Sequence, residues 1–265
     1  MVDIHPTAIV DRKAQLADSV KVGPYCVVGP QVSIEAGTEL KSHVVIEGRT
    51  AIGENNIFFP FSAIGGVPQD KKYHGEDSQL IIGNGNTIRE NCTINIGTES
   101  GGGLTWVGDD NWIMAYVHIA HDCRIGSHII LANNTSLAGH VVVKDWALTG
   151  GYTLVLQFCQ LGEHSMTAFG ARVDKDVPPY VMAAGYKLRP AGLNLIGLKR
   201  RGFSEEQITN IKKAYQLLYR GGLSLKEAKE KISDLAAHRP ELQVFIPFFV
   251  QSQRPVVRLS LIHIS

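Results

Sequence analysis

The side chains with most chemical capacity crowd into YVHIAHDCRIG, residues 116–126: His118, His121, Asp122 and Cys123. An imidazole titrates near neutrality and can take the proton from an attacking hydroxyl. An adjacent carboxylate fixes its tautomer and stabilises the imidazolium. A thiol beside an imidazole suggests nucleophilic catalysis. Three histidines shared between subunits suggest zinc. The plainest reading is that these are hydrogen-bonded residues of the frame. Which applies depends on the elements that position them.

Large aliphatic residues recur every six positions. They run from Ile4 through Val10, Leu16, Val22, Val28, Ile34, Leu40, Ile46 and Ile52 to Phe58 and Ile64, then resume at Ile82, Ile88 and Ile94. A third run passes from Val107 through Ile113, Ile119, Ile125, Leu131, Leu137 and Val143 to Val155, Leu161 and Val173, with Thr149 and Thr167 in step. Neither a helix nor a half-buried strand has this period. A hexapeptide solenoid does. The expected fold is mainly β: a left-handed parallel β-helix of three hexads per coil, over residues 1–185. Its handedness is an exception to the usual right-handed crossover.

The fourth residue after a marker is usually small or β-branched, and Cys26, Cys92, Cys123 and Cys159 all occupy that place. Cysteine there acts as a small hydrophobe, so Cys123 should point inward, away from any chemistry. Two breaks, 65–79 and 97–106, read as loops thrown out from the coils, where binding residues often sit. Residues 186–258 form a C-terminal α-helical domain. Ser204 with Gln207 makes a capping box, Ser224 starts a second helix, and a third segment, ELQVFIPFFVQSQ, is interrupted by Pro247. The tail 259–265 reads as non-native or disordered.

The composition is that of an ordinary globular chain, 44% hydrophobic and 19% charged. A net charge of +1 gives no reason to expect nucleic acid or an acidic membrane as partner. No run approaches the ~20 apolar residues of a membrane span. A chain start without signal-peptide character and with unpaired-looking cysteines implies a cytoplasmic protein.

Positions 18 apart should stack in columns. His121, Gly139 and Gln157 make one, Asp122, His140 and Phe158 the next, and Asn133, Gly151 and Phe169 another. One corner therefore gathers His121, Asp122, His140 and Gln157, with His118 at the turn before Ile119. A metal is not expected, because no surrounding pattern of second-layer partners accompanies the histidines. A general base with its supporting carboxylate is the third reading.

At these residues the chain resembles the UDP-N-acetylglucosamine O-acyltransferases that begin lipid A synthesis in Gram-negative bacteria. HIAHDC, ILANNTSLAGHV, QFC, DVPPYV and GLKRRGFS occur in the family's order, with the QDKKYHGE loop and a helical tail. The resemblance implies transfer of a 3-hydroxyacyl group from acyl carrier protein to the sugar 3-hydroxyl, without a cofactor, by a homotrimer with sites between subunits. It makes His121 the base, Asp122 its support and Gly139 N–H the oxyanion donor. It assigns His118, His140 and Gln157 to the sugar and phosphates, and Asp70 and Lys72 to the sugar or pantetheine end, reaching across from the neighbouring subunit. Asn194, Arg200 and Arg201 go to the nucleotide and carrier protein. Phe169 stands where the family closes the acyl groove, which implies a short chain. Leu156 and Ile196 replace the family's usual His and Glu, removing polar contacts near the nucleotide. The later N-acyltransferase of the pathway normally carries an extra N-terminal domain, whereas here the repeat begins at Ile4. A solenoid that binds acyl carrier protein without catalysis is the alternative of a different class.

Overall fold

The computed structural model describes residues 1–258; the reading of 259–265 lies outside the described residues. The hexads form short strands stacked into three sheets of a left-handed parallel β-helix. Asp3 pairs with Lys21 on the first sheet, Ile9 with Val27 on the second and Gln15 with Ser33 on the third. In most two-residue strands the marker turns inward and its neighbour outward, so Ile46, Ile119 and Leu137 are fully buried.

The interior is not wholly apolar. Buried Asn56 Oδ1 accepts from Asn86 N (2.8 Å), Asn86 Oδ1 from Asn111 N (3.0 Å), and Asn111 Oδ1 from Ile129 N (2.8 Å). Those partners also measure the insertions: they lie 18 apart from Asn111 to Ile129, but 30 apart across the first break and 25 across the second. The loops are narrower than the sequence suggests. Strands Ala63–Gly66, Gln79–Ile82 and Leu104–Val107 claim residues at their edges because each pairs with the coils above and below.

The first sheet continues past 185. Val181–Ala184 folds back antiparallel onto Arg189–Leu193, so the helices begin at Leu195 rather than at 186. They are α1 (Leu195–Arg200), α2 (Glu205–Tyr219), α3 (Leu225–Ala236) and α4 (Phe245–Gln251). Ser204 and Ser224 both make complete capping boxes. Pro247 lies in the first turn of α4, where its missing N–H costs nothing, and so does not interrupt it. A second core of Leu198, Ile208, Ile211, Leu218, Ile232 and Phe245 meets the solenoid at Tyr180. The chain then returns to the solenoid: Asp176 N donates to Pro255 O (3.0 Å) and Val257 N to Asp176 O (2.8 Å).

Candidate active site

The corner between the second and third sheets takes a left-handed backbone at one residue in each of three successive coils. Asp122 (φ 61°), His140 (φ 62°) and Phe158 (φ 65°) supply it. Such a conformation costs an L-residue about 1–2 kcal/mol, and backbone bonds such as His140 N to His121 O (3.0 Å) hold it. This turn swings the Asp122 carboxylate onto its neighbour: His121 Nδ1 lies 2.7 Å from Asp122 Oδ2, both residues buried. His140 Nε2 is 3.7 Å from the same oxygen, and its ring stands edge-on to that of His121, centroids 5.2 Å apart.

The second inserted loop fixes the carboxylate. Thr98 donates its backbone N–H to Asp122 Oδ1 (2.8 Å) and its hydroxyl to Oδ2 (2.6 Å), while Asp122 N donates to Thr105 Oγ1 (2.8 Å). Sequence reasoning missed Thr98, Thr105 and Gly101. The glycine run at 101–103 was the available signal: a Cβ at Gly101 would lie 2.0 Å from Asp122 Cγ. Gly139 is constrained likewise, since a Cβ there would come within 2.5 Å of His121 Cε1 and 2.7 Å of its Nε2.

His118 is not at a turn. It lies in strand His118–Ile119, half-buried, with Nδ1 2.7 Å from Thr93 Oγ1 in the coil below. Burial and then the nearby His121 lower its pKa. Burial also lowers that of His140, against the upward pull of Asp122, with His121 lowering it further and Asp70 raising it. Lys72 is exposed and donates its backbone N–H to Asp70 Oδ1 (3.0 Å). Gln157 is exposed one coil above Gly139.

Asn194, Arg200 and Arg201 are elsewhere, by the corner between the third and first sheets. Buried Asn194 caps α1 through Gly197 N (3.1 Å) and donates to His164 O (3.1 Å). Arg201 donates to Trp146 O (3.1 Å), lies 3.1 Å from His164 Nδ1 and covers the Trp146 ring. Arg200 is exposed. Within one chain none of the three is brought to His121.

All four cysteines are free and buried. Burial pushes Cys123 up to about 12, and its thiol donates inward to Ala138 O (3.2 Å). A nucleophilic role is thereby removed. His121, Asp122 and His140 offer ligand atoms within 4.8 Å of one another, near enough for a cation. Both Asp122 oxygens already accept from Thr98, an arrangement that orients the carboxylate toward an imidazole.

A groove of about 390 Å³ runs up the second sheet beside this corner, lined by His118, Ser136, Leu154, Leu156, Arg172 and Asp174 among others. Phe169 does not line it. It stands at the opposite edge of that sheet, 76% exposed, edge-on to Tyr152 and against Gly151.

A hexapeptide solenoid with a carboxylate-supported imidazole at a corner beside an apolar groove defines the hexapeptide-repeat acyltransferase class. The six-repeat bacterial transferase hexapeptide family matches residues 105–139, and UDP N-acetylglucosamine O-acyltransferase domain 2 matches 176–257. A Neisseria gonorrhoeae protein named acyl-[acyl-carrier-protein]--UDP-N-acetylglucosamine O-acyltransferase is 57% identical over 96% of this chain and 99% of its own. One from Herminiimonas arsenicoxydans is 55% identical over the same shares. The solved UDP-N-acetylglucosamine acyltransferase of Francisella novicida superposes with a TM-score of 0.96 at 45% identity, covering 98% of this chain and 95% of that one. The chain belongs to the UDP-N-acetylglucosamine O-acyltransferase family.

Proposed function

We infer that this protein transfers a 3-hydroxyacyl group from acyl carrier protein to the 3-hydroxyl of UDP-N-acetylglucosamine, the first step of lipid A synthesis. The observation that carries the reading is the His121–Asp122 pair, held at 2.7 Å with the carboxylate locked by Thr98. Asp122 engages Nδ1, so Nε2 is the atom left to take the sugar proton. It lies against Gly139, whose N–H is the donor we assign to the oxyanion that forms as the hydroxyl attacks the thioester. Protonated His121 then returns the proton to the leaving thiolate, and no enzyme nucleophile or cofactor is needed. His118, His140 and Gln157, with Asp70 and Lys72, contact the acceptor and the pantetheine end. Asn194, Arg200 and Arg201 lie far from His121 in one chain, so their nucleotide and carrier roles would be exercised across a subunit boundary.

That boundary belongs to a homotrimer. The outward residues of the first sheet in four successive coils, Trp112, Ile130, Leu148 and Met166, form an apolar stripe that calls for cover. A cytoplasmic location follows from the carrier-protein donor; no helix among the described residues is long and apolar enough to cross a membrane. The His121–Asp122 pair disfavours a carrier-binding solenoid without catalysis. Mass spectrometry of the product from UDP-N-acetylglucosamine and a set of acyl carrier proteins tests the reading: a 3-O-acylated UDP-sugar is expected, and no product from any donor would refute it.

A further inference from the structure

The corner carrying His121 does not end at Gln157. His140 stacks face to face on Phe158, centroids 4.5 Å apart and planes 12° apart, and the Arg254 guanidinium covers the other reach of Phe158, 6.0 Å from its centroid. Arg254 comes from the returning C-terminal segment, about 80 residues beyond the last coil in sequence. Its position is nonetheless set. Asp176 accepts from the Ser252 hydroxyl (2.5 Å) and binds the backbone of Pro255 and Val257, while Arg254 Nε donates to Gln157 O (3.0 Å). Val256 and Val257, just after it in sequence, are buried. Nε is thus used, and the two terminal nitrogens of the guanidinium have no hydrogen-bond partner among the described residues. A half-buried planar fork, fixed at its base beside Phe158 in the coil above His140, matches a phosphate group.

We propose that Arg254 is a further substrate-binding residue, taking a phosphate ester of one substrate at the upper end of the His121 corner. The proposal rests on the acyl-transfer reading, in which both substrates carry phosphate: the diphosphate of the sugar nucleotide and the phosphodiester of the carrier's pantetheine arm. The test uses the full chain with Arg254→Gln and Arg254→Lys, measuring KM for each substrate separately, kcat and Tm. Arg254→Gln should raise one KM roughly 10- to 100-fold with kcat within about twofold, and Arg254→Lys should recover part of the loss by restoring a point charge. A rise confined to UDP-N-acetylglucosamine assigns the diphosphate, and one confined to the acyl carrier protein assigns the pantetheine phosphate. Unchanged KM values, with or without a lower Tm, would overturn the proposal and leave Arg254 a tether of the chain end. Calorimetric titration with UDP-N-acetylglucosamine and with inorganic pyrophosphate reads the same loss without turnover, so a failure of the acyl-transfer reading stays distinguishable.

Discussion

Asp122 has little choice of role. Its two oxygens accept from Thr98 N–H, Thr98 hydroxyl and His121, and it occupies the space that any side chain at Gly101 would fill. His121→Ala should therefore lower turnover by about 10²- to 10⁴-fold with the solenoid intact; near-normal turnover by this variant would exclude His121 as base. Thr98→Val removes the hydroxyl that steadies the carboxylate and should lower kcat about 10-fold, on the scale of a bond to a charged group. The His121–Asp122 pair was legible in the sequence because the two residues are adjacent and the six-residue rhythm gave their column. Thr98 and Gly101 were not, because they sit in an insertion, Thr98 24 residues upstream, that obeys no repeat, so no periodic argument could register them against Asp122.

Among the elements, α1 is tied to the solenoid by a small number of contacts around His164. This imidazole is sandwiched between Trp146 and Tyr180, and Arg201 lies against its Nδ1. Burial and then the Arg201 charge depress His164 to about 4. In the unfolded chain it would titrate near 6.5, so between those values the unfolded state binds the extra proton. Stability is then fully present above pH ~6.5 and is lost as pH falls toward 4, by up to about 3 kcal/mol. Wild type should lose Tm over that window more steeply than His164→Phe, and parallel curves would show that His164 contributes nothing to the acid sensitivity. The capping boxes of α2 and α3 were readable from Ser204–Gln207 and Ser224 because capping is local. The hairpin that carries the first sheet on to Leu193 was not, since its strands pair only through the last coil.

On the scale of the whole molecule, light scattering should give a trimer at micromolar concentration, and a monomer would remove the cross-subunit roles of Asn194, Arg200 and Arg201. Phe169 belongs to this scale too. It is exposed in a single chain and lies one sheet-width from His121, so it can close an acyl groove only against a neighbouring prism. The enzyme should prefer 3-hydroxydecanoyl over 3-hydroxymyristoyl donors, and Phe169→Gly should shift that preference toward longer chains, each added methylene in the groove being worth ~0.8 kcal/mol. Wild-type preference for the longest donor would sink the idea. The solenoid itself was legible almost throughout, because a six-residue period sustained over 170 residues has a single physical form; the width of its loops was not, because strand pairing reaches into turn-like sequence at Gly65 and Gly66.

The two insertions that break the rhythm lie in adjacent coils, and the second of them carries Thr98 and Gly101 to Asp122. The uninterrupted coils pair with those above and below at the 18-residue step. Frame and chemistry are therefore separable parts of one chain. Excising the second loop so that the 18-residue step is restored would leave a scaffold that still assembles, stripped of its activity. Run in reverse, the same operation describes how a plain stack of coils acquires a reaction: by letting one turn grow long enough to reach the next corner.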